Sequence, residues 1–208
     1  MKIKGLALAV LTAGLIAGTI TSAVAQDIPN WIGFSAGNTQ FSGNNLAGIT
    51  PTSSDKSDNA WKLVLGVPFN KNLALELGYA KLGDQSIGGI YPATGVASSA
   101  RATYTAYLID LLGTYDINTS FSLLGKVGMH RWGVNSDRTG ITAPGANQSD
   151  GADGFNSTYG LGVQYNITPD VGLRLEWEKI NHMGHETTTG ISDARLISIG
   201  VVYKFKIL

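Results

Sequence analysis

The sequence predicts an all-β protein, an eight-stranded antiparallel up-and-down transmembrane β-barrel, and three observations carry that expectation. Apolar and polar side chains alternate with a period of two in eight separate stretches, which is the pattern of strands with one apolar face. Short turn signals alternate with long polar loops between the stretches, so all the long connections fall at one end, as the extracellular loops of an outer-membrane barrel do. The strand aromatics gather in two groups, one near each end, where amphipathic rings settle at the two interfaces of a bilayer.

The N-terminus sets the compartment. Lys2 and Lys4 precede an Ala/Leu/Gly/Ile run from Gly5 to Ile20, and the small residues Ala23 and Ala25 stand just before Gln26. A positive start, a short apolar core and small residues at a cut are the parts of a secretory signal. Residues 1–25 are therefore expected to be a cleaved signal peptide and 26–208 a single barrel domain. Removing Lys2 and Lys4 leaves 13 basic against 15 acidic residues; this mildly acidic balance lacks the basic footprint of a nucleic-acid binder. Cysteine is absent, which excludes disulfides and thiolate-bound metal. No apolar run after residue 25 reaches the roughly 18 residues of a spanning helix, a criterion that β-barrels escape because their strands need only about ten residues.

Taken in order, the first strand is Trp31 to Gln40, with Ile32, Phe34 and Ala36 on one face. A polar loop from Phe41 to about Asn59 follows, without apolar periodicity. Trp61, Leu63, Leu65 and Val67 then alternate with Lys62, Val64 and Gly66, a turn uses Pro68, Asn70 and Asn72, and Leu73, Leu75, Leu77 and Tyr79 alternate with Ala74, Glu76 and Gly78. A second long loop, about Leu82 to Ser99, carries Gly88, Gly89, Pro92 and Gly95. The third hairpin spans Arg101 to Trp132 and turns at Asp116 to Thr119; Trp132 falls on the wrong parity, which predicts a bulge near Arg131 or the end of the strand. After a loop from Gly133 to Gly154 comes the clearest hairpin, Gly160 to Ile180. Leu161, Val163 and Tyr165 alternate there with Gly160, Gly162 and Gln164, and Val171, Leu173, Leu175 and Trp177 alternate with Gly172, Arg174, Glu176 and Glu178. Asn166 to Asp170 supplies its turn. A loop from Asn181 to Ala194 leads to the last strand, where Ile197, Ile199, Val201, Tyr203 and Phe205 alternate with Ser198, Gly200, Val202 and Lys204.

Two sets of residues follow from these parities. Trp61, Tyr79, Tyr107, Tyr159 and Trp177 form the aromatic group at the loop end, and Phe69, Tyr115, Phe121, Tyr165, Tyr203 and Phe205 the group at the turn end. On the opposite face Lys62, Glu76, Asp110, Lys126, Arg174, Glu176, Glu178 and Lys204 point into an interior too narrow for a wide channel. Charges withdrawn from water must be paired, so a luminal salt-bridge network is expected, comprising Glu76, Lys126, Arg174, Glu176, Lys62 and Asp110, with Arg174 as a forked hub.

At this point the chain resembles a known family. Gly162 to Pro169 (GVQYNITP), Arg174 to Trp177 (RLEW) and Leu196 to Phe205 (LISIGVVYKF) look like the second half of the OmpA transmembrane domain, and Glu76 to Tyr79 (ELGY) resembles its third strand. The likeness covers most of the mature chain and is strongest in the last three strands. It implies an eight-stranded barrel in the outer membrane of a Gram-negative bacterium, with the family's luminal Arg and Glu at Arg174 and Glu76. Two departures matter. The family's further Glu in the sixth strand is Gln164 here, and its Lys in the fourth strand finds only Asp110 or Leu112, which puts the family's proposed gate in doubt. The sequence also stops where OmpA proteins continue into a peptidoglycan-binding domain, so that function is not expected.

Three motifs suggest chemistry without supporting it. Gly33-Phe34-Ser35-Ala36-Gly37 fits a nucleophile elbow, but lies inside an alternating strand with no helix behind it. His182 and His185 sit in a loop without metal-site spacing, and Asp150 with Asp153 fixes too few oxygens for calcium. Some eight-stranded outer-membrane barrels modify lipid A, and the PagL deacylases carry a His-x-Ser pair on a late strand; His182 is followed here by Met183 and Gly184. No catalytic residue, metal or cofactor is therefore expected. The expected function is that of a monomeric, structural, envelope-integrity barrel whose four extracellular loops present an adhesion or phage-receptor surface. The alternatives are a small gated pore and a lipid A-modifying enzyme. The expected partners are outer-membrane lipid and lipopolysaccharide, the barrel-assembly machinery during insertion, and a host or phage ligand at the loops.

Overall fold

Hydrogen bonding between neighbouring strands runs right round the molecule and closes on itself. The structure, a computed structural model, describes residues 28–43, 49–140, 146–185 and 189–206, so the signal peptide expected at 1–25 lies outside the described residues. The strands are β1 (Asn30–Phe41), β2 (Thr50–Asp55), β3 (Ser57–Asn70), β4 (Leu73–Tyr91), β5 (Val96–Asp116), β6 (Phe121–Thr139), β7 (Asn147–Asn166), β8 (Val171–Met183) and β9 (Ser192–Phe205). All but β2 pair antiparallel in chain order, and β1 returns to β9 from Asn30↔Phe205 to Phe41↔Ala194. This is a closed eight-stranded up-and-down barrel. Closure is what hydrocarbon demands, because a free edge would leave backbone donors and acceptors unsatisfied at several kcal/mol each.

The ninth strand corrects the reading of 41–59 as loop. β2 pairs with the far end of β4, from Thr50↔Ile90 to Asp55↔Ser86. All six of its residues are exposed, so backbone pairing alone forms it and no apolar period could announce it. Pro51 is tolerated because β2 is an edge.

A larger correction concerns the long loops. β4 continues to Tyr91 and β5 begins at Val96, with only residues 92–95 turning between them. Likewise β6 extends to Thr139, β7 begins at Asn147, β8 reaches Met183 and β9 begins at Ser192. Much of the predicted loop is thus paired ribbon beyond the aromatic belt. Its inward positions are often small, as at Ala100, Ala102 and Ser136, and a search for apolar alternation passes over them. Nor is there a bulge at Arg131. The ladder runs unbroken through Arg131↔Phe155 and Trp132↔Gly154, and Trp132 is simply luminal, its indole lying where a Cβ on Gly154 would meet it at 2.6 Å.

At the other end the connections are tight and locally encoded. The Asn70 carboxamide oxygen accepts from the Asn72 N–H at 2.9 Å, and that of Asn118 accepts from the N–H groups of Ser120 and Phe121 at 2.9 and 2.8 Å. The Thr168 hydroxyl accepts from the Val171 N–H at 3.0 Å. Each is a side chain standing in for a backbone turn bond.

The packing is inside out relative to a water-soluble domain. Ile109, Val127, Leu161 and Ile199 are 57, 60, 65 and 61% exposed, whereas Lys62, Glu76, Glu176 and Glu178 are at most 3% exposed. Such an exterior is matched to lipid.

Candidate functional site

The period of two sends every second residue into the lumen, and closure then brings residues far apart in the chain to one height. Three layers result. Towards the turn end Ala74, Leu112 and Leu124 pack with Trp31. Towards the loop end is a larger apolar cluster that includes Phe41, Leu82, Tyr104, Trp132, Ile180, Met183 and Leu196. Between them lies the charged layer.

In that layer Lys126 Nζ is 3.2 Å from Glu76 Oε1, 2.7 Å from Glu176 Oε1 and 2.8 Å from Glu178 Oε1. Lys62 Nζ is 2.7 Å from Glu176 Oε2 and also pairs with Glu178. Arg174 donates from Nη1 to Glu76 Oε2 at 2.6 Å, and from Nε and Nη2 to Gln164 Oε1 at 3.1 Å each. Trp31 adds an indole N–H to Glu76 Oε2 at 3.4 Å and lays its ring 5.8 Å from the Arg174 guanidinium carbon. Three cations thus meet three glutamates. Arg174 is forked, but Lys126 makes more ion pairs, so the hub is shared.

Glycine makes the room. Glu176 and Glu178 lie directly across from Gly162 and Gly160. A Cβ on Gly162 would meet Leu175 O at 2.8 Å and Glu176 Cγ at 3.1 Å, and one on Gly160 would meet Trp177 O at 2.7 Å and Glu178 Cγ at 3.0 Å. The glutamate stems occupy that space.

Asp110 corrects the expected network. It is luminal and only 1% exposed, yet it makes no ion pair among the described residues, and its Oδ1 has no hydrogen-bond partner. Three cations serve three glutamates in this layer, and the Lys126 ammonium already lies within 3.2 Å of Glu76, Glu176 and Glu178, so Asp110 is a fourth carboxylate without a cation of its own. The departures from the family pattern also resolve in space. Gln164 supplies a neutral acceptor to Arg174, and the cation beside Glu76 comes from β6 as Lys126.

Lys204, on the luminal face at the turn end, donates to Asn166 Oδ1 at 3.1 Å. A cavity of about 230 Å³ opens there, reaching from Lys71 and Asn118 to Gln164 and Arg174. Trp31 was missed as a luminal partner, although its parity opposite to Ile32 and Phe34 marked it. The apolar cluster was missed because its members are spread over seven strands and alternate with polar outward residues beyond the belt.

On the outside, Phe34–Trp61, Trp61–Tyr79 and Tyr79–Tyr107 have ring centroids 6.4, 5.4 and 5.1 Å apart, and Tyr159–Trp177 are 6.0 Å apart. Phe121 and Tyr165 lie 4.8 Å apart, their rings tilted, at the other end, where Tyr115 and Tyr203 are 69 and 53% exposed and Phe205 is half-buried.

His182, next to last in β8, has a left-handed conformation with φ 46°, its Nδ1 3.8 Å from Asp193 Oδ1. Among the described residues no group of three or more His, Cys, Asp or Glu is placed to hold a metal ion.

A family model described as the outer membrane protein beta-barrel domain matches residues 8–205. Outer membrane protein A of Shigella flexneri is 29% identical over 213 residues, covering 99% of this chain and 56% of that protein. The Salmonella typhi protein of the same name is 30% identical over 146 residues, covering 67% of this chain and 38% of its own length. The match spans between 38 and 56% of the length of these curated relatives. Among solved structures, outer membrane protein AlkL superposes with a TM-score of 0.55 at 16% identity, covering 89% of this chain and 94% of that one. OprG of Pseudomonas aeruginosa gives 0.54 at 14% identity, with 86 and 97% covered, and Ail of Yersinia pestis 0.52 at 15%, with 86 and 100% covered. At these identities the structural likeness is one of fold.

Proposed function

We propose, from the premise that this chain belongs to the outer membrane protein beta-barrel domain family and is an OmpA-like barrel of a Gram-negative outer membrane, that it is a closed structural barrel whose projecting ribbons are its working surface. The observation that carries this reading is the stack of layers in the lumen. Six ion pairs of 3.2 Å or less, counting Lys62–Glu178, lie between two apolar layers. Charges that are at most 5% exposed are held by one another, and separating them exposes each to the cost of desolvation. Passage of ions would require that separation.

Beyond the belt, β4 runs from Tyr79 to Tyr91 and β5 returns from Val96 to Tyr107. At about 3.3 Å per residue and a tilt of about 40° this ribbon rises roughly 25–30 Å above the belt. It is a stiff, paired platform for adhesion or for phage attachment, and its small polar side chains suit contacts made by many hydrogen bonds.

The test is conductance of the refolded mature protein in a planar bilayer, together with the detergent sensitivity of a deletion strain. A silent bilayer and a sensitised strain are expected. Discrete openings that change in Glu76→Ala would instead establish the gated pore, for which the turn-end cavity over Arg174 would be the vestibule. An unsensitised deletion strain would remove the envelope-integrity role.

A further inference from the structure

The outward face of the barrel changes character abruptly at one height on β8 and β9. Leu173, Leu175, Ile197, Ile199 and Val201 form a strip 38 to 61% exposed. The next outward residues above Trp177 and Ile197 are Lys179 and Arg195, and these stand directly opposite one another in the ladder. Like charges in that position are destabilising. The row continues through Tyr159, opposite Lys179, and Gln40, opposite Arg195, and contains no acid. One row further up, the Asp193 carboxylate pairs with Lys179 at 3.3 Å and accepts the His182 N–H at 2.9 Å, whereas Arg195 is exposed and makes no ion pair among the described residues. The arrangement is a pair of adjacent cations with one anion too few, floored by the Tyr159 and Trp177 rings and standing on an apolar strip. An amphiphile with a phosphate head and acyl tails matches every part of it.

We propose that Lys179 and Arg195 form a binding site for the phosphate group of a phosphorylated glycolipid in the outer leaflet, whose acyl chains lie along Leu175, Ile197 and Ile199. The inference rests on the orientation proposed above, with the ribbons outside the cell. Elsewhere at this height the cations are arranged differently: Lys81 faces Thr105, and Arg131 is held by Asp153 at 3.1 Å. The phosphate would complete the β8–β9 row by lying between the two cations, and Gln40 supplies a neutral donor beside them.

The experiment measures binding of labelled bisphosphorylated lipid A to the mature chain in neutral detergent micelles. Each cation near a membrane surface contributes about a fivefold factor, so Lys179→Gln/Arg195→Gln is expected to bind about 25-fold more weakly and Arg195→Gln alone about fivefold. Lys81→Gln/Arg131→Gln, the same charge change elsewhere on the rim, is expected to bind within about threefold of wild type. Dephosphorylated lipid A is expected to bind the wild type as weakly as the double variant binds the parent lipid, and millimolar inorganic phosphate to leave binding unchanged. Equal loss in both double variants would show diffuse rim electrostatics and overturn the site; displacement by inorganic phosphate would show a simple anion site and overturn the glycolipid. Folding of each variant is checked by its heat-modifiable gel mobility, and Arg195→Gln, which removes no ion pair among the described residues, stands in if the double variant does not fold. Orientation is tested separately. The sequence contains no cysteine, so Thr94→Cys carries the single thiol, and labelling of intact cells by an impermeant maleimide reports its side of the membrane. Failure to label sinks the orientation without touching the micelle result.

Discussion

Replacing Lys126 by Met tests whether the luminal charges hold one another. Lys126 Nζ has three glutamate oxygens within 3.2 Å, in a layer where Lys62, Lys126 and Arg174 balance Glu76, Glu176 and Glu178. Removing the lysine leaves the layer with one excess negative charge and leaves Glu176 and Glu178 to Lys62, with Arg174 reaching Glu176 only at 3.9 Å. Loss of one partner of a buried pair costs about 3–5 kcal/mol. Met keeps the stem volume, so packing accounts for less than about 1.5 kcal/mol of any change. Adding Glu178→Gln restores neutrality, and the double variant is therefore expected to recover about 2 kcal/mol, a coupling within the usual range for residues in one network. The assay is urea unfolding of the refolded mature protein in lipid vesicles, followed by tryptophan fluorescence and gel mobility. A Lys126→Met variant within about 1 kcal/mol of wild type, or a double variant as unstable as the sum of its singles, would refute the reasoning.

Arg174→Ala removes the bond to Glu76 and both bonds to Gln164 and is expected to cost about 3–5 kcal/mol in the same unfolding assay; an unchanged midpoint sinks the claim. Asp110→Asn should be neutral or stabilising, because this carboxylate is buried without an ion pair and an amide of the same shape relieves an uncompensated charge; a loss above about 1 kcal/mol would show a partner that geometry does not reveal. Trp132→Ala opens the apolar layer over the charges and should cost about 3–5 kcal/mol, with increased exchange of luminal amides as a second readout. At the rim, burial works to raise the Asp193 carboxyl, but the His182 backbone N–H and Lys179 outweigh it and hold it below its ordinary 3.8. A lowered carboxyl contributes stability that is complete above that ordinary value and is lost as pH falls through the lowered one. Intrinsic-rate-corrected protection of the His182 amide is therefore expected to be flat from neutrality to about pH 5 and to fall below 3.8, with the dependence absent in Asp193→Asn.

Much of this was legible in the sequence because lipid and lumen sort side chains by parity. Leu161, Val163 and Tyr165 against Gly160, Gly162 and Gln164 identify strand, outward face and partner hairpin from local order alone, and Asn118 or Thr168 specifies a turn through its own side-chain bonds. That information is one-dimensional and short-ranged. It stopped at Trp132, whose parity made sense only once a luminal apolar layer existed for it to join, and at 82–99, where small residues pair as ribbon because the partner strand is already in place.

Sequence by itself determined that the chain forms eight barrel strands with an apolar outside and a group of charges inside, since a period of two sorts side chains to two faces and a bilayer accepts only the apolar one. Only the tertiary structure decided which charge meets which. Lys62 reaches Glu176 and Glu178 across 114 and 116 residues, and Arg174 reaches Glu76 across 98. Those meetings are set by the register at which β1 closes on β9, a property of the whole ring. The same closure left Asp110 without an ion pair among the described residues, while the register of β8 on β9 set Lys179 against Arg195, because a ladder that pairs the backbone fixes the side-chain neighbours with it.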